Sequence, residues 1–166
     1  MKRSDVIEIL STASVVVGLV FVGLQLHQNT KIQRITATQV LSAAYSDALE
    51  VLSYEAEASC VYVIGINAIG NLDDAQRLRF FAMELRLFRA AEQLQYYSTK
   101  HMIEPAIWAG FERQLRELVS LPGVQEWWGL RQTWFSEPFQ DYISGLIKAG
   151  PTAAPQRYEH TSCAPS

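Results

Sequence analysis

The most apolar part of the chain lies close to its first residue. The sixteen residues from Ile9 to Leu24 carry no charged side chain, and fourteen of the twenty-one residues from Val6 to Leu26 are apolar. As a helix, these twenty-one residues extend about 31 Å, close to the thickness of the hydrocarbon core of a bilayer. No small-x-small cleavage site of a signal peptide follows. The pattern predicts an uncleaved transmembrane helix over residues 6–26, after a flank over residues 1–5, with a buried core helix as the alternative.

After this apolar run, apolar residues recur with a helical period almost throughout the chain. Residues 28–52 contain neither glycine nor proline, which predicts that the transmembrane helix continues as a stalk helix. Proline, glycine and aspartate then divide the chain into a bundle of about five helices. The predicted helices are 55–69, 74–102, 105–120, 124–135 and 137–149, and we expect Gly65 to loosen the end of the first. The prediction is an all-α fold, with stalk and bundle over residues 27–149 and a disordered, proline-rich tail over residues 150–166.

The helix predicted over residues 74–102 is apolar on most of its circumference, which indicates that other helices surround it. Its arginines follow a stretch, residues 35–76, that contains six acidic side chains and neither lysine nor arginine. Two interpretations are open. Either the two segments contact each other within the chain, which we favour, or the arginines form a stripe that binds an acidic partner or an anionic ligand.

Composition and motifs exclude several classes of function. The chain carries 14 basic and 17 acidic residues, a net charge of −3, which argues against a protein that binds nucleic acid. It contains no His-Glu-x-x-His, paired Cys-x-x-Cys or Gly-x-Ser-x-Gly motif. Cys60 lies in an apolar helical pattern, which predicts a free, buried cysteine. We expect no catalytic residue, no metal and no cofactor, and therefore no enzyme.

One group of polar and aromatic residues is a candidate contact site for a ligand or partner. On the predicted helix Glu92 faces Arg86 and Arg89, and Tyr96 lies close by. Trp108 follows on the next helix. These five side chains are able to line a polar pocket, although we favour a buried ion pair that fixes the packing of the helices.

The tryptophans form a second candidate contact site. All four fall between Trp108 and Trp134, and Trp127 and Trp128 are adjacent. On a helix two adjacent side chains point about 100° apart. One of the pair is therefore able to enter the core while the other covers an edge or contacts a partner. Core packing is the default expectation, and an exposed tryptophan would mark a contact with a partner or a membrane surface. Few lysines and arginines accompany them, so we expect no aromatic platform for nucleic acid.

Two motifs carry a resemblance to a known family. Directly after the predicted span the chain reads Gln28-Asn-Thr-Lys31, with Arg34 three residues later, and further on it reads Pro122-Gly-Val-x-x-Trp127-Trp128. In these motifs the chain resembles an uncharacterised bacterial family of small single-span membrane proteins. The resemblance implies an all-helical domain, an N-terminal anchor in the inner (plasma) membrane and a domain in the cytoplasm. No activity or site residue comes with it.

Two hypotheses of function follow. The first is a membrane-anchored helical interaction or regulatory module, whose partners are the lipid bilayer, through residues 6–26, and an unidentified protein or a second copy of the chain in a homodimer. The alternative is a small-molecule or lipid sensor with a pocket in the helical bundle. Charge does not decide the orientation, because Lys2 and Arg3 precede the span while Lys31 and Arg34 follow it.

Overall fold

The structure is a computed structural model, which describes residues 14–25, 39, 43, 45–47, 49–50 and 55–151. All regular structure within these residues is helical, so the predicted all-α class is confirmed for the described part of the chain. The predicted flank over residues 1–5 and the tail beyond residue 151 lie outside it. The domain is built from five α-helices: α1 (Ala56–Asn67), α2 (Asp74–Thr99), α3 (Pro105–Leu118), α4 (Pro122–Arg131) and α5 (Glu137–Ala149). Short 3₁₀ turns follow α1 and α4, at Ile69–Asn71 and Gln132–Trp134.

The predicted transmembrane helix is described over residues 14–25 only, and these residues are helical. Their large apolar side chains are exposed, with exposed fractions of 67% for Val17 and Leu19 and 50% for Val22. The described domain does not cover them, which is the opposite of what a buried core helix requires. Within the described residues, no helix combines the length and the apolar character needed to cross a membrane.

The ends of the domain helices follow from local side chains. Asp73 caps α2, because its carboxylate accepts the backbone N–H of Gln76 at 2.8 Å while the Gln76 side chain accepts that of Asp73 at 3.1 Å. Prolines begin α3 and α4, where a missing N–H costs nothing. α2 ends at Thr99, short of the predicted end near residue 102, because His101 adopts a left-handed conformation with a φ of 55°.

Three helices come together where two glycines meet. Gly65 in α1 and Gly123 in α4 are both buried, and a β-carbon on Gly123 would overlap the backbone carbonyl of Gly65. A β-carbon on Gly65 would overlap the ring of Phe80, which α2 places against it and which is itself inaccessible to solvent. The sequence indicated that Gly65 loosens the end of α1, and the structure shows a different role for this residue. It lies inside the helix and allows close approach of the neighbouring backbone.

An aromatic cluster centred on Phe88 fills the interior of the domain. Phe88 is fully buried, stacks on Trp128 with ring centres 5.2 Å apart and lies 4.8 Å from Trp127. Phe135 and Phe139 complete the cluster. Both adjacent tryptophans are buried, so the default expectation of core packing is confirmed for this pair, and the alternative that one of them lies at an edge or contacts a partner is wrong. The physical reason is that one residue of α2, Phe88, packs against both rings and bridges the angle between them.

α2 is buried along one face rather than on most of its circumference. Phe80, Leu87 and Phe88 lie on the buried face, whereas Leu78 is 72% exposed. Between the two ends of the helix, exposed positions recur every three or four residues at 78, 82, 86, 89, 93 and 96, and Arg79 is exposed beside the first of them. The prediction of a surrounded helix is therefore confirmed for one face and wrong for the other, because apolar Leu78 and Ala82 lie on the solvent side.

Gly123→Ala is expected to destabilise the domain, whereas Gly129→Ala in the same helix is not. A methyl group at position 123 has no room unless α1 and α4 move apart, and overpacking of this kind costs about 1–3 kcal/mol or more. Gly129 has open space around it, so alanine there is expected to stabilise by about 0.5–1 kcal/mol through helix propensity. Chemical denaturation measures both values, and equal stabilities of the two variants would contradict the backbone contact.

Candidate functional site

Two residues of the predicted polar cluster on α2, Arg89 and Glu92, connect that helix to the start of α5. We call this pair and its contacts the clasp. The Arg89 guanidinium donates to the Glu92 carboxylate at 2.9 Å and to the backbone carbonyl of Trp134 at 2.9 Å. The other oxygen of Glu92 accepts the backbone N–H of Ser136, the residue directly before α5, at 2.8 Å. Arg89 also lies 4.6 Å over the centre of the Phe135 ring. The ion pair that the sequence favoured is present and joins α2 to the start of α5, but it is not buried, because the Arg89 side chain is 49% exposed.

The contacts of Glu92 stabilise its charged form. Burial by itself raises the pKa of a carboxyl group, but the hydrogen bonds from Ser136 and the neighbouring Arg89 guanidinium outweigh it and hold the pKa of Glu92 below its usual range. The ion pair is therefore intact near neutral pH. In acid, protonation of Glu92 removes the charge that Arg89 contacts, and the clasp weakens.

Other arginines of α2 also contact the acidic stretch of the same chain. Arg79 pairs with Glu57 of α1 at a distance of 2.6 Å. Arg86 donates to the backbone carbonyl of Asp47, at 3.3 Å, in the segment that precedes α1. The interpretation of the charge pattern as a set of contacts within the chain is confirmed for these residues.

Tyr96 and Trp108, two further residues of the candidate site, make contacts separate from those of Arg89 and Glu92. Tyr96 is 55% exposed, and the Lys100 ammonium lies 5.5 Å over its ring. Trp108 packs against Phe111, with ring centres 5.6 Å apart, beside a small second core cluster. The five candidate residues of the pocket therefore take part in separate sets of contacts among the described residues, and only the pair in the clasp is brought together by direct bonds.

Sequence reasoning missed the most unusual polar group of the domain, Glu84. Its side chain is inaccessible to solvent, and no other charged residue in the described part of the chain is buried. Neither carboxylate oxygen has a hydrogen-bond partner of good geometry. Its register is the signal that identifies it, because Glu84 lies one helical turn after Phe80 and one before Phe88, on the face that carries the core.

Two tyrosines from other segments face Glu84. The hydroxyl of Tyr62, on α1, is near enough to favour the charged carboxylate, and Tyr45, from the segment before α1, is near enough to feel its charge. Burial nevertheless raises the pKa of Glu84 to about 8. Burial, followed by the Glu84 charge, raises the pKa of Tyr45 to about 12. At neutral pH the domain thus contains a neutral carboxylic acid in its interior.

Cys60 is disulfide-bonded, so the prediction of a free, buried cysteine is wrong. Cys60 itself is half-buried. The other cysteine of the chain is Cys163, which lies outside the described residues. Disulfides persist in oxidising compartments and are rare in the cytosol.

Comparison with protein-family models, with curated proteins and with solved structures found no match to this chain. The resemblance to the uncharacterised single-span family stays a prediction. The structure gives its second motif a physical role, because Pro122 begins α4, Gly123 meets the backbone of α1 and the two tryptophans fill the core. Within the described residues, no group of three or more His, Cys, Asp or Glu side chains is arranged to hold a metal ion.

Glu92→Gln is expected to lower the free energy of unfolding at neutral pH by about 1–2 kcal/mol, because glutamine keeps an acceptor for Ser136 but loses the charge that Arg89 contacts. Since the pKa of Glu92 is lowered by folding, this contribution is present above the usual carboxyl range and is lost as the pH falls through the folded pKa. Denaturation at neutral and at acid pH measures the difference, which should shrink in acid.

The matched control is Glu126→Gln on the exposed side of α4. It should change the free energy of unfolding by less than about 0.5 kcal/mol at either pH, as is usual for surface substitutions. An equal loss of stability in both variants would show that the clasp around Glu92 has no special role.

Proposed function

We propose that the chain is a membrane-anchored helical interaction or regulatory module, held in the bacterial inner membrane by a single span over residues 6–26. The observation that carries the proposal is the helix over residues 14–25, whose valines, leucines and phenylalanine are exposed. Apolar surface of this extent is costly to keep in water and requires a cover. The hydrocarbon core of a bilayer supplies one, and the length of the uncharged run supports it.

The domain supports a role in interaction rather than in catalysis. Its polar cluster is engaged in helix packing through Arg89 and Glu92, and its interior is filled by aromatic rings around Phe88. The partners in this proposal are a second copy of the chain, joined through span and stalk, and a further protein that is recognised by the domain. Nucleic acid is not among them, because the chain has a net charge of −3.

The alternative, a small-molecule or lipid sensor, has less support. It requires the cluster around Arg86, Arg89, Glu92, Tyr96 and Trp108 to be available to a ligand. One oxygen of Glu92 already accepts from Arg89 and the other from the backbone before α5. A ligand that used these groups would have to displace the clasp.

The disulfide supports a location of the domain on the non-cytoplasmic side of the membrane. The family resemblance favours the cytoplasm, where glutathione and thioredoxin keep thiols reduced and a bond at Cys60 would not persist. The disulfide belongs to this chain, whereas the cytoplasmic location is taken from other proteins. We therefore propose that the domain lies on the non-cytoplasmic side of the membrane.

The anchor is tested by a double substitution, Val16→Lys with Val20→Lys, in the full-length protein. Each lysine at the centre of a span costs about 3 kcal/mol of insertion free energy, so the variant is expected to move from the membrane pellet to the soluble fraction. Alkaline carbonate extraction followed by centrifugation measures the distribution. The control, Val16→Leu with Val20→Leu, should remain in the pellet, and release of the wild type by carbonate would refute the anchor.

The orientation is tested with alkaline phosphatase, which is active only outside the cytoplasm, fused after Ser166. Activity is expected, together with resistance of Cys60 to alkylation until a reductant is added. A matched fusion to a fluorescent protein that folds only in the cytoplasm should stay dark. The reverse pattern, an inactive phosphatase and a bright fluorescent fusion, would return the domain to the cytoplasm.

A further inference from the structure

Glu84 lies between the two contacts that join α2 to α1 and to α4. One turn before it, the Phe80 ring occupies the space where a β-carbon of Gly65 in α1 would lie. One turn after it, Phe88 packs on the two adjacent tryptophans of α4, with ring centres 4.8 Å and 5.2 Å away. Gly123 of α4 in turn contacts the backbone of α1. We call this meeting of α1, α2 and α4 the junction, and Glu84 lies on the face of α2 that is buried in it.

Glu84 is screened from solvent while the junction is closed. Its side chain is inaccessible, and neither carboxyl oxygen has a hydrogen-bond partner of good geometry among the described residues. A carboxylate in such a place has lost its hydration without compensation, whereas the neutral acid has lost much less. Burial alone therefore sets the direction of the linkage, because a group that is neutral in the folded state and ionised in the unfolded state takes up a proton on folding.

Two phenols act on Glu84 from other elements. Tyr62 of α1 lies beside Phe80, with ring centres 5.9 Å apart. Burial raises the pKa of Glu84 to about 8 in spite of the Tyr62 hydroxyl, which favours the charged form. Burial, followed by the Glu84 charge, raises the pKa of Tyr45, which precedes α1, to about 12. Neither phenol supplies a positive charge that would hold the carboxylate.

The charged side chains of the helices around the junction do not compensate a charge on Glu84, as far as the structure describes them. α1 contains no basic residue, and each arginine of α2 contacts an oxygen of another residue. On α3, Arg113 is exposed and Arg116 pairs with an acidic neighbour at 3.0 Å. On α4, Arg131 lies over two aromatic rings, and on α5, Lys148 is exposed. The acidic side chains of these helices, Glu84 excepted, are not buried.

We propose that Glu84 couples proton uptake to closure of the junction, so that acid favours the closed domain and a rising pH favours its opening. On opening, Glu84 gives its proton to a base in the solvent and water hydrates the carboxylate, and no other covalent bond changes. The three helices lose their packing together, because α1 and α4 contact each other through their backbones and both pack on α2, on either side of Glu84.

The linkage through Glu84 opposes ordinary acid denaturation. Glu92, on the same helix, has the opposite sign, because folding lowers its pKa and acid weakens its ion pair. The two carboxyl groups therefore act in different ranges of pH, Glu92 below the usual carboxyl range and Glu84 above it. Since the closed domain is the form that presents a defined surface, a falling pH favours the partner-binding form of the module. Only this last consequence rests on the proposed function.

Urea denaturation of the full-length protein in detergent, followed by tryptophan fluorescence, tests the linkage. The carboxyl group ionises near 4.5 in the open state and near 8 in the closed state, so the unfolding equilibrium constant rises about tenfold per pH unit between these values and levels off above them. The ratio of this constant in the wild type to that in Glu84→Gln is expected to rise about 100-fold from about pH 5.5 to about pH 7.5. Hydrogen exchange should show the matching loss of protection in both α1 and α4.

Glutamine has a similar shape and does not ionise, and the other titrating groups contribute equally to both proteins and cancel in the ratio. Glu84→Leu serves the same purpose should the amide perturb the fold, and Glu126→Gln, exposed on α4, is the control that keeps the wild-type dependence. A ratio that does not change with pH, or a loss of protection in only one of α1 and α4, would overturn the linkage. The measurement needs neither a bilayer nor a partner, so failure of the linkage is distinguishable from failure of the proposed function.

Discussion

The approach of α1 to α4 at Gly65 and Gly123 is the contact on which the rest of the domain depends. A β-carbon at either position would hold the helices apart, because the space is occupied by backbone or by the Phe80 ring. With the backbones in contact, α2 lays Phe80 against α1 and Phe88 against the adjacent tryptophans of α4. Glu84 lies one turn from each of these phenylalanines, so the same close packing that orders the aromatic core also buries the acid.

How far the sequence predicts this arrangement depends on whether the signal is local. Asp73 and Pro105 act on the backbone beside them, so the beginnings of α2 and α3 are readable from the sequence. α4 is less readable, because it begins at Pro122, two residues before its predicted start. A glycine inside an apolar helix is ambiguous. The same residue is favoured where the end of a helix loosens and where two backbones approach closely. The positions of the Phe80 ring on α2 and of Gly123 on α4 decide in favour of contact for Gly65. The burial of Trp128 likewise depends on Phe88, which lies forty residues away in the chain.

The charged contacts of the candidate site also divide into those that the local sequence predicts and those that depend on how distant helices pack. An acidic stretch followed by arginines predicts contacts within the chain, and the Arg79–Glu57 pair bears this out. The clasp of Arg89 and Glu92 is visible from their spacing on one helix, but its hydrogen bond to Ser136 is not, since that bond requires the start of α5 to lie beside α2. Glu84 is the reverse case. Its register on the core face is visible in the sequence, yet a buried carboxylate is so unusual that charge patterning alone assigns it to the surface.

Stability does not explain why an acid occupies the position of Glu84. Leucine or methionine would fill a similar volume without a desolvation penalty, and apolar replacements of buried charged groups often leave stability unchanged or raise it. A protonated carboxyl without a hydrogen-bond partner of good geometry contributes little to the packing of the core that an apolar side chain would not. What it adds is the capacity to ionise.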